Sequence, residues 1–190
     1  MDIKINYIKS FFSLLGKHAI CTLGCILFVM IFPAMVESGF TQIIYTAFAL
    51  IVAFDLMFSC AWSIGNKHRR NVNIYNRKLD QQCKDKIKYK YLSGLIIATI
   101  YAAFNIIICI ICYMLAVSNS PWLTVAGNLV YKLWFSPFIV AFKYVIRLQY
   151  FLWLIIAFMP SVPIALGYIC GVKDVNYFEA FVKKLVYKNK

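Results

Sequence analysis

Acidic residues are scarce in this chain of 190 residues: seven Asp and Glu stand against twenty Lys and Arg, a net charge of +13. Charged residues of both signs make up only 14% and hydrophobic residues 63%, whereas soluble domains run to about 25% and about 45–50%. So little charge excludes a soluble fold of this size, because its high surface-to-volume ratio would leave much apolar surface in water. A lipid bilayer is the solvent that accepts such a chain. Catalytic signatures are missing as well: there is no H-E-x-x-H, no G-x-S-x-G, no Walker loop and no G-x-G-x-x-G. The two histidines, His18 and His68, lie far apart with no acid partner in view. The chain is therefore expected to be no enzyme, with no catalytic residue and no cofactor.

Cysteine is plentiful, but a disulfide framework is absent. Cys21, Cys25, Cys60, Cys109 and Cys112 fall inside apolar runs, Cys170 ends another, and Cys83 sits in a basic stretch. None has the spacing of a secreted scaffold, and packing between helices is the expected role. Cys21 and Cys25 share a helix face with His18, yet no second cluster completes a coordination shell, so no metal is expected. His18 itself is placed at the membrane interface beside Lys17. Cys109 and Cys112 have C-x-x-C spacing, but thiols desolvated amid isoleucines are poor nucleophiles. Leu23-Gly24-Cys25 resembles a lipoprotein cleavage site only in passing, since the apolar run continues to Val36; it reads as a retained helix.

Four apolar runs are present, at 19–36, 43–64, 92–116 and 149–170. Each is long enough to cross about 30 Å of hydrocarbon as a helix. The fold class is thus all-α, a polytopic transmembrane bundle forming a single integral membrane domain. Pro33 bends the first run near its end, and the short turn at 37–42 makes the first two helices antiparallel neighbours. Pro160 and Pro163 break the last run in its middle. Residues 1–17 read as an interfacial or cytoplasmic lead, and 65–90 as a long basic loop with nine Lys and Arg and two acids. The tail, 172–190, places Phe178, Val182 and Leu185 opposite Lys183 and Lys184, an amphipathic surface helix.

Residues 121–147 are apolar overall but hold Lys132, Lys143, Arg147 and Pro137. Charge counting decides how they lie. Three cations precede the first run, nine occupy 65–90, five occupy the tail and three remain in 121–147. Lys and Arg stay on the cytoplasmic side, so the N-terminus, the loop and the tail all belong there, which requires four crossings. Then 121–147 is re-entrant or interfacial, with its cations snorkelling outward. The alternative, five crossings, sends the five tail cations outside.

The charge also suits anionic headgroups, with Lys67, Arg69, Arg70, Lys183 and Lys184 as the contacts. No recognisable motif accompanies it, so nucleic acid is not an expected partner.

Asp55 is the sharpest single feature. It stands nine residues before the end of the second run, about 14 Å deep on a helix. A carboxylate at that depth costs about 2.5–3.5 kcal/mol on insertion scales, so compensation is expected. Ser59 and Ser63 follow at i+4 and i+8, a polar stripe expected to face other helices. Tyr101 and Asn105 of the third run lie at similar depth and are expected to meet it, as an interhelical hydrogen-bond site or an ion-linked one. Lys132 and Lys143 are further candidates to pair with Asp55.

Gly65-Asn66-Lys67-His68-Arg69-Arg70-Asn71 after a Trp-bearing span, followed by Gly94-Leu95-Ile96, resembles a group of small uncharacterised membrane proteins of Firmicutes. So do Pro163, Gly167-Tyr168-Ile169-Cys170-Gly171-Val172-Lys173 and Lys184-Leu185-Val186-Tyr187-Lys188. The likeness covers 62–190 in patches. His68 stands where that group often has an acid, and the Pro that follows its Gly-Leu-Ile segment is missing here. The resemblance implies a bacterial cell-membrane home and no particular activity. Two functions compete: an accessory subunit that binds a membrane protein partner, and a small homo-oligomeric transporter or channel using Asp55.

Overall fold

In hydrocarbon every backbone N–H and C=O must find its partner within the chain, and a helix does this segment by segment. The computed structural model describes residues 6–31, 39–80, 88–138 and 151–175, and these are helical almost throughout, with no strand among them. In chain order the helices are α1 (Tyr7–Ile31), α2 (Gly39–Asp80), α3 (Leu92–Ala116), α4 (Pro121–Trp134), α5 (Phe151–Phe158) and α6 (Ser161–Lys173). Four helical stretches are long and apolar enough to cross a membrane: Tyr7–Phe28, Ala47–Lys78, Leu92–Ala116 and Trp153–Lys173. The chain is an all-α, multi-pass membrane bundle. Its outer surface is correspondingly apolar, with Ile8, Phe12, Leu27, Ile51, Ile107 and Ile111 all exposed.

Side-chain contacts fix how the spans line up. Ser13 Oγ lies 3.4 Å from Cys60 Sγ, and Tyr45 donates to the Cys25 carbonyl at 3.2 Å, so α1 and α2 run antiparallel. Tyr7 donates to Ser93 Oγ at 3.4 Å near the start of both α1 and α3, which run parallel. Tyr168 of α6 packs on Gly94 and donates to the Lys90 carbonyl at 3.4 Å. Tyr7, Gly65, Ser93 and Tyr168 therefore share one level, at the end of the bundle that carries the basic stretch.

The most extensive contact joins α2 and α6. A Cβ on Gly167 would collide with the Phe58 carbonyl, one on Gly171 with the Trp62 carbonyl, and one on Gly65 with the Tyr168 carbonyl. Small residues spaced by four let two backbones touch, which is how packing is gained where lipid removes the hydrophobic drive between helices. Pro160 separates α5 from α6 as the paired prolines foretell, with Pro163 in the first turn of α6, where its missing N–H costs nothing. Asp174 then closes α6 in the left-handed conformation (φ 59°).

Two features differ from the sequence reading, and a third adds detail to it. The first helix begins at Tyr7, not near residue 19, so Lys17 and His18 lie inside it. Ser10, Leu14, His18, Cys21 and Cys25 form its buried face, and that face keeps the helix continuous through the lysines. The second helix runs on through 65–80, read above as loop, for a total of 42 residues. No Pro interrupts that stretch, and Asn66, His68 and Val72 bury there. Tyr89 ties back to Asn73 Oδ1 at 2.6 Å. The third is a matter of depth. At 14 residues α4 is about 21 Å long, too short to cross. It descends along α3 from Gly127, whose Cβ position is 2.6 Å from the Cys112 carbonyl oxygen, to Trp134. The indole N–H of Trp134 donates to Asn105 Oδ1 at 3.1 Å, midway along α3. Within the bundle, α4 thus ends beside the middle of α3. Pro33, Cys83, Lys143, Arg147 and the tail from 176 onward, with Lys183 and Lys184, lie outside the described residues.

Candidate functional site

A half-helix ending inside a bundle leaves its last carbonyls without intrahelical partners. For α4 the deficit is met from α1. His18 Nε2 lies 2.9 Å from the Trp134 carbonyl oxygen, and Thr22 Oγ1 donates to the same oxygen at 3.3 Å. A carbonyl only accepts, so Nε2 carries the proton; Nδ1 of the neutral ring is then an acceptor. The Tyr101 hydroxyl, 2.5 Å from Nδ1, is its donor. Both ring nitrogens are used. The imidazole also stacks on the Trp134 indole, centroids 4.7 Å apart, with Phe135 and Phe138 edge-on around it. His18, Tyr101 and Asn105 are each 0% exposed.

Asn105 completes this inner cluster. Its Oδ1 accepts from Trp134, while its Nδ2 is buried with no partner among the described residues. Chemically the cluster is a pin: one neutral imidazole joins α1, α3 and the end of α4 at mid-depth.

The expected polar site does not assemble as one. Tyr101 and Asn105 face inward to His18 and Trp134, whereas Asp55, Ser59 and Ser63 are exposed on the outside of α2. The inner face of α2 is Tyr45, Ala49, Ala53, Met57 and Ala61, buried at intervals of four. Asp55 lies two residues from both Ala53 and Met57, on the opposite side of the helix. No ion pair or hydrogen bond reaches Asp55 from the described residues, and Lys132, itself exposed, makes no ion pair with it.

The outer stripe has company that the sequence reading overlooked. Lys17 and Ser13 of α1 join Ser59, Cys60 and Ser63 of α2 in lining a groove of about 320 Å³. Once α1 begins at Tyr7, Lys17 faces this groove and His18, the next residue, turns into the core. The signal for both was the spacing of Leu14, Cys21 and Cys25, which marks one buried face only if the helix is started early.

At the basic end the headgroup candidates divide. Lys67 and Arg70 are exposed. Arg69 instead holds Asp174 at 2.7 Å, fastening α2 to the end of α6. His68, expected in a headgroup-facing loop, is buried and stacked on Tyr168, centroids 6.3 Å apart. Among the described residues no group of three or more potential metal ligands lies together. Comparison with family models, with curated proteins and with solved structures found no match to this chain.

Proposed function

We propose that this chain is a non-enzymatic accessory subunit of a bacterial cell membrane, binding a membrane protein partner through the outer polar face of α1 and α2. The observation that carries the reading is Asp55. It is exposed at mid-depth with no ion pair among the described residues, one turn from Ser59, which lines the groove together with Ser63 and Lys17. Hydrocarbon against such a face leaves each charge at a cost of about 2.5–3.5 kcal/mol, and interhelical polar contacts with another protein remove it. The positive-inside bias favours a cytoplasmic N-terminus, tail and basic stretch, with Lys67, Arg70, Lys183 and Lys184 against anionic headgroups. The patchy likeness to small Firmicutes membrane proteins supports the bacterial assignment.

Co-purification in mild detergent tests the reading. A membrane protein should accompany the intact chain, and Asp55→Ala should reduce its recovery roughly tenfold, the equivalent of about 1.4 kcal/mol. Equal recovery with both chains would remove Asp55 from the contact.

A second reading, a small transporter or channel, is favoured by α4. A half-helix whose C-terminal carbonyl ends at mid-depth, beside a histidine and a tyrosine, matches the way broken helices build ion and proton sites in transporters. It requires flux in liposomes that His18→Ala or Asp55→Ala abolishes.

A further inference from the structure

The outer face of α1 and α2 carries one charge of each sign at one level. We infer that a second copy of this chain covers it, related by a two-fold axis along the bilayer normal that sets Lys17 of each copy against Asp55 of the other. The inference rests on reading that face as a contact surface and names its occupant.

The level follows from the register. Ser13 faces Cys60. Four residues further along α1 is Lys17, and five residues back along the antiparallel α2 is Asp55. At a rise of about 1.5 Å per residue the two differ in depth by roughly one residue. Both are exposed, and no ion pair among the described residues includes either.

In a two-fold interface residue i meets j while j meets i. A face with a cation at one position and an anion at another, at equal depth, is therefore complementary to itself. One association neutralises four charges as two pairs. A different partner would need its own acid and its own base at the same depth, and lipid supplies neither. The face also admits close approach. Ser13, Ser59 and Ser63 are small, and nothing lies within 4 Å of where a Cβ on Gly16 would stand. Such residues let helix backbones come together in a membrane.

The test uses the full chain, fluorescently labelled and reconstituted at low density in liposomes, with subunits counted by single-molecule photobleaching. The wild type should be dimeric. K17D and D55K should each lose dimerisation roughly tenfold or more, because each copy then meets its own sign. Mixed one to one, the two variants should form heterodimers again, since both junctions regain opposite charges. An ion pair inside one chain would give no such rescue, and rescue on mixing also proves both variants folded. A wild type that is monomeric overturns the inference. So do variants that dimerise alone as the wild type does, or a mixture that stays monomeric while each variant keeps the wild-type melting transition. If the wild type is monomeric but a membrane partner still copurifies through Asp55, only the occupant is wrong. If a photo-crosslinking residue placed at position 59 captures lipid alone, the contact-surface reading fails with it.

Discussion

His18 and Asp55 are both ionisable residues at mid-depth, yet their surroundings assign them opposite roles. His18 has each ring nitrogen bonded, its ring stacked on Trp134 and flanked edge-on by Phe138. Removing it strands the Trp134 carbonyl with Thr22 alone and leaves the Tyr101 hydroxyl without an acceptor. His18→Ala should therefore destabilise the bundle by about 1–3 kcal/mol, read as a lower unfolding midpoint in detergent; an unchanged midpoint would mean that α4 is held elsewhere. Asp55 has no partner within the described chain, so Asp55→Asn should shift the midpoint of the dissociated, monomeric chain by less than about 0.5 kcal/mol. A large loss of stability from that change would place Asp55 in the core. The place of Asp55 well inside an apolar run was legible in the sequence. Its direction was not, because that depends on which stripe of α2 the other helices choose, and Ser59 and Ser63 looked as fit for the interior as Ala49 and Ala53.

Among the elements, the α2–α6 contact is the tightest and depends on glycine. Gly171→Ala places a methyl group against the Trp62 carbonyl, where backbone rather than a flexible side chain must yield. A cost of about 1–3 kcal/mol is expected from such overpacking, measurable as an earlier melting transition. Gly16→Ala, with open space around it, should leave the melting of the isolated chain unchanged. A similar loss at both positions would contradict the packing described here. α3, expected at about 92–116, was legible because Leu92–Ala116 carries no charge and is apolar but for Ser93, Thr99 and Asn105. α1 was not, since Lys9 and Lys17 look like cytoplasmic flanks until the buried face through Leu14 and His18 is seen in three dimensions. α2 outran its apolar stretch for a related reason: the burial of Asn66, His68 and Val72 continues the helix where hydropathy alone stops it.

For the whole molecule the consequence of a half-helix is parity. With α4 ending beside Asn105 and Tyr168 level with Gly65 and Gly94, four crossings are expected to place residues 78 and 119 on opposite sides and residues 78 and 189 on the same side. Cysteines introduced there, in a chain cleared of its native cysteines, should label accordingly with a membrane-impermeant maleimide. Labelling of 189 from the side that labels 119 would restore the five-crossing alternative. The charge pattern pointed to this arrangement, since Lys132, Lys143, Arg147 and Pro137 made a fifth full span costly. It did not reveal how far α4 reaches along α3, which follows from Trp134 meeting Asn105 and His18.

The reading of the chain as a partner-binding subunit stands on what touches Ser59 in the native membrane. A photo-crosslinking residue at position 59, compared with one at Trp122, which is 85% exposed at the start of α4, measures this directly. Protein adducts at 59 and lipid adducts at 122 are the expected result. Lipid adducts alone at both positions would show the polar face bare to hydrocarbon, and would contradict the proposal.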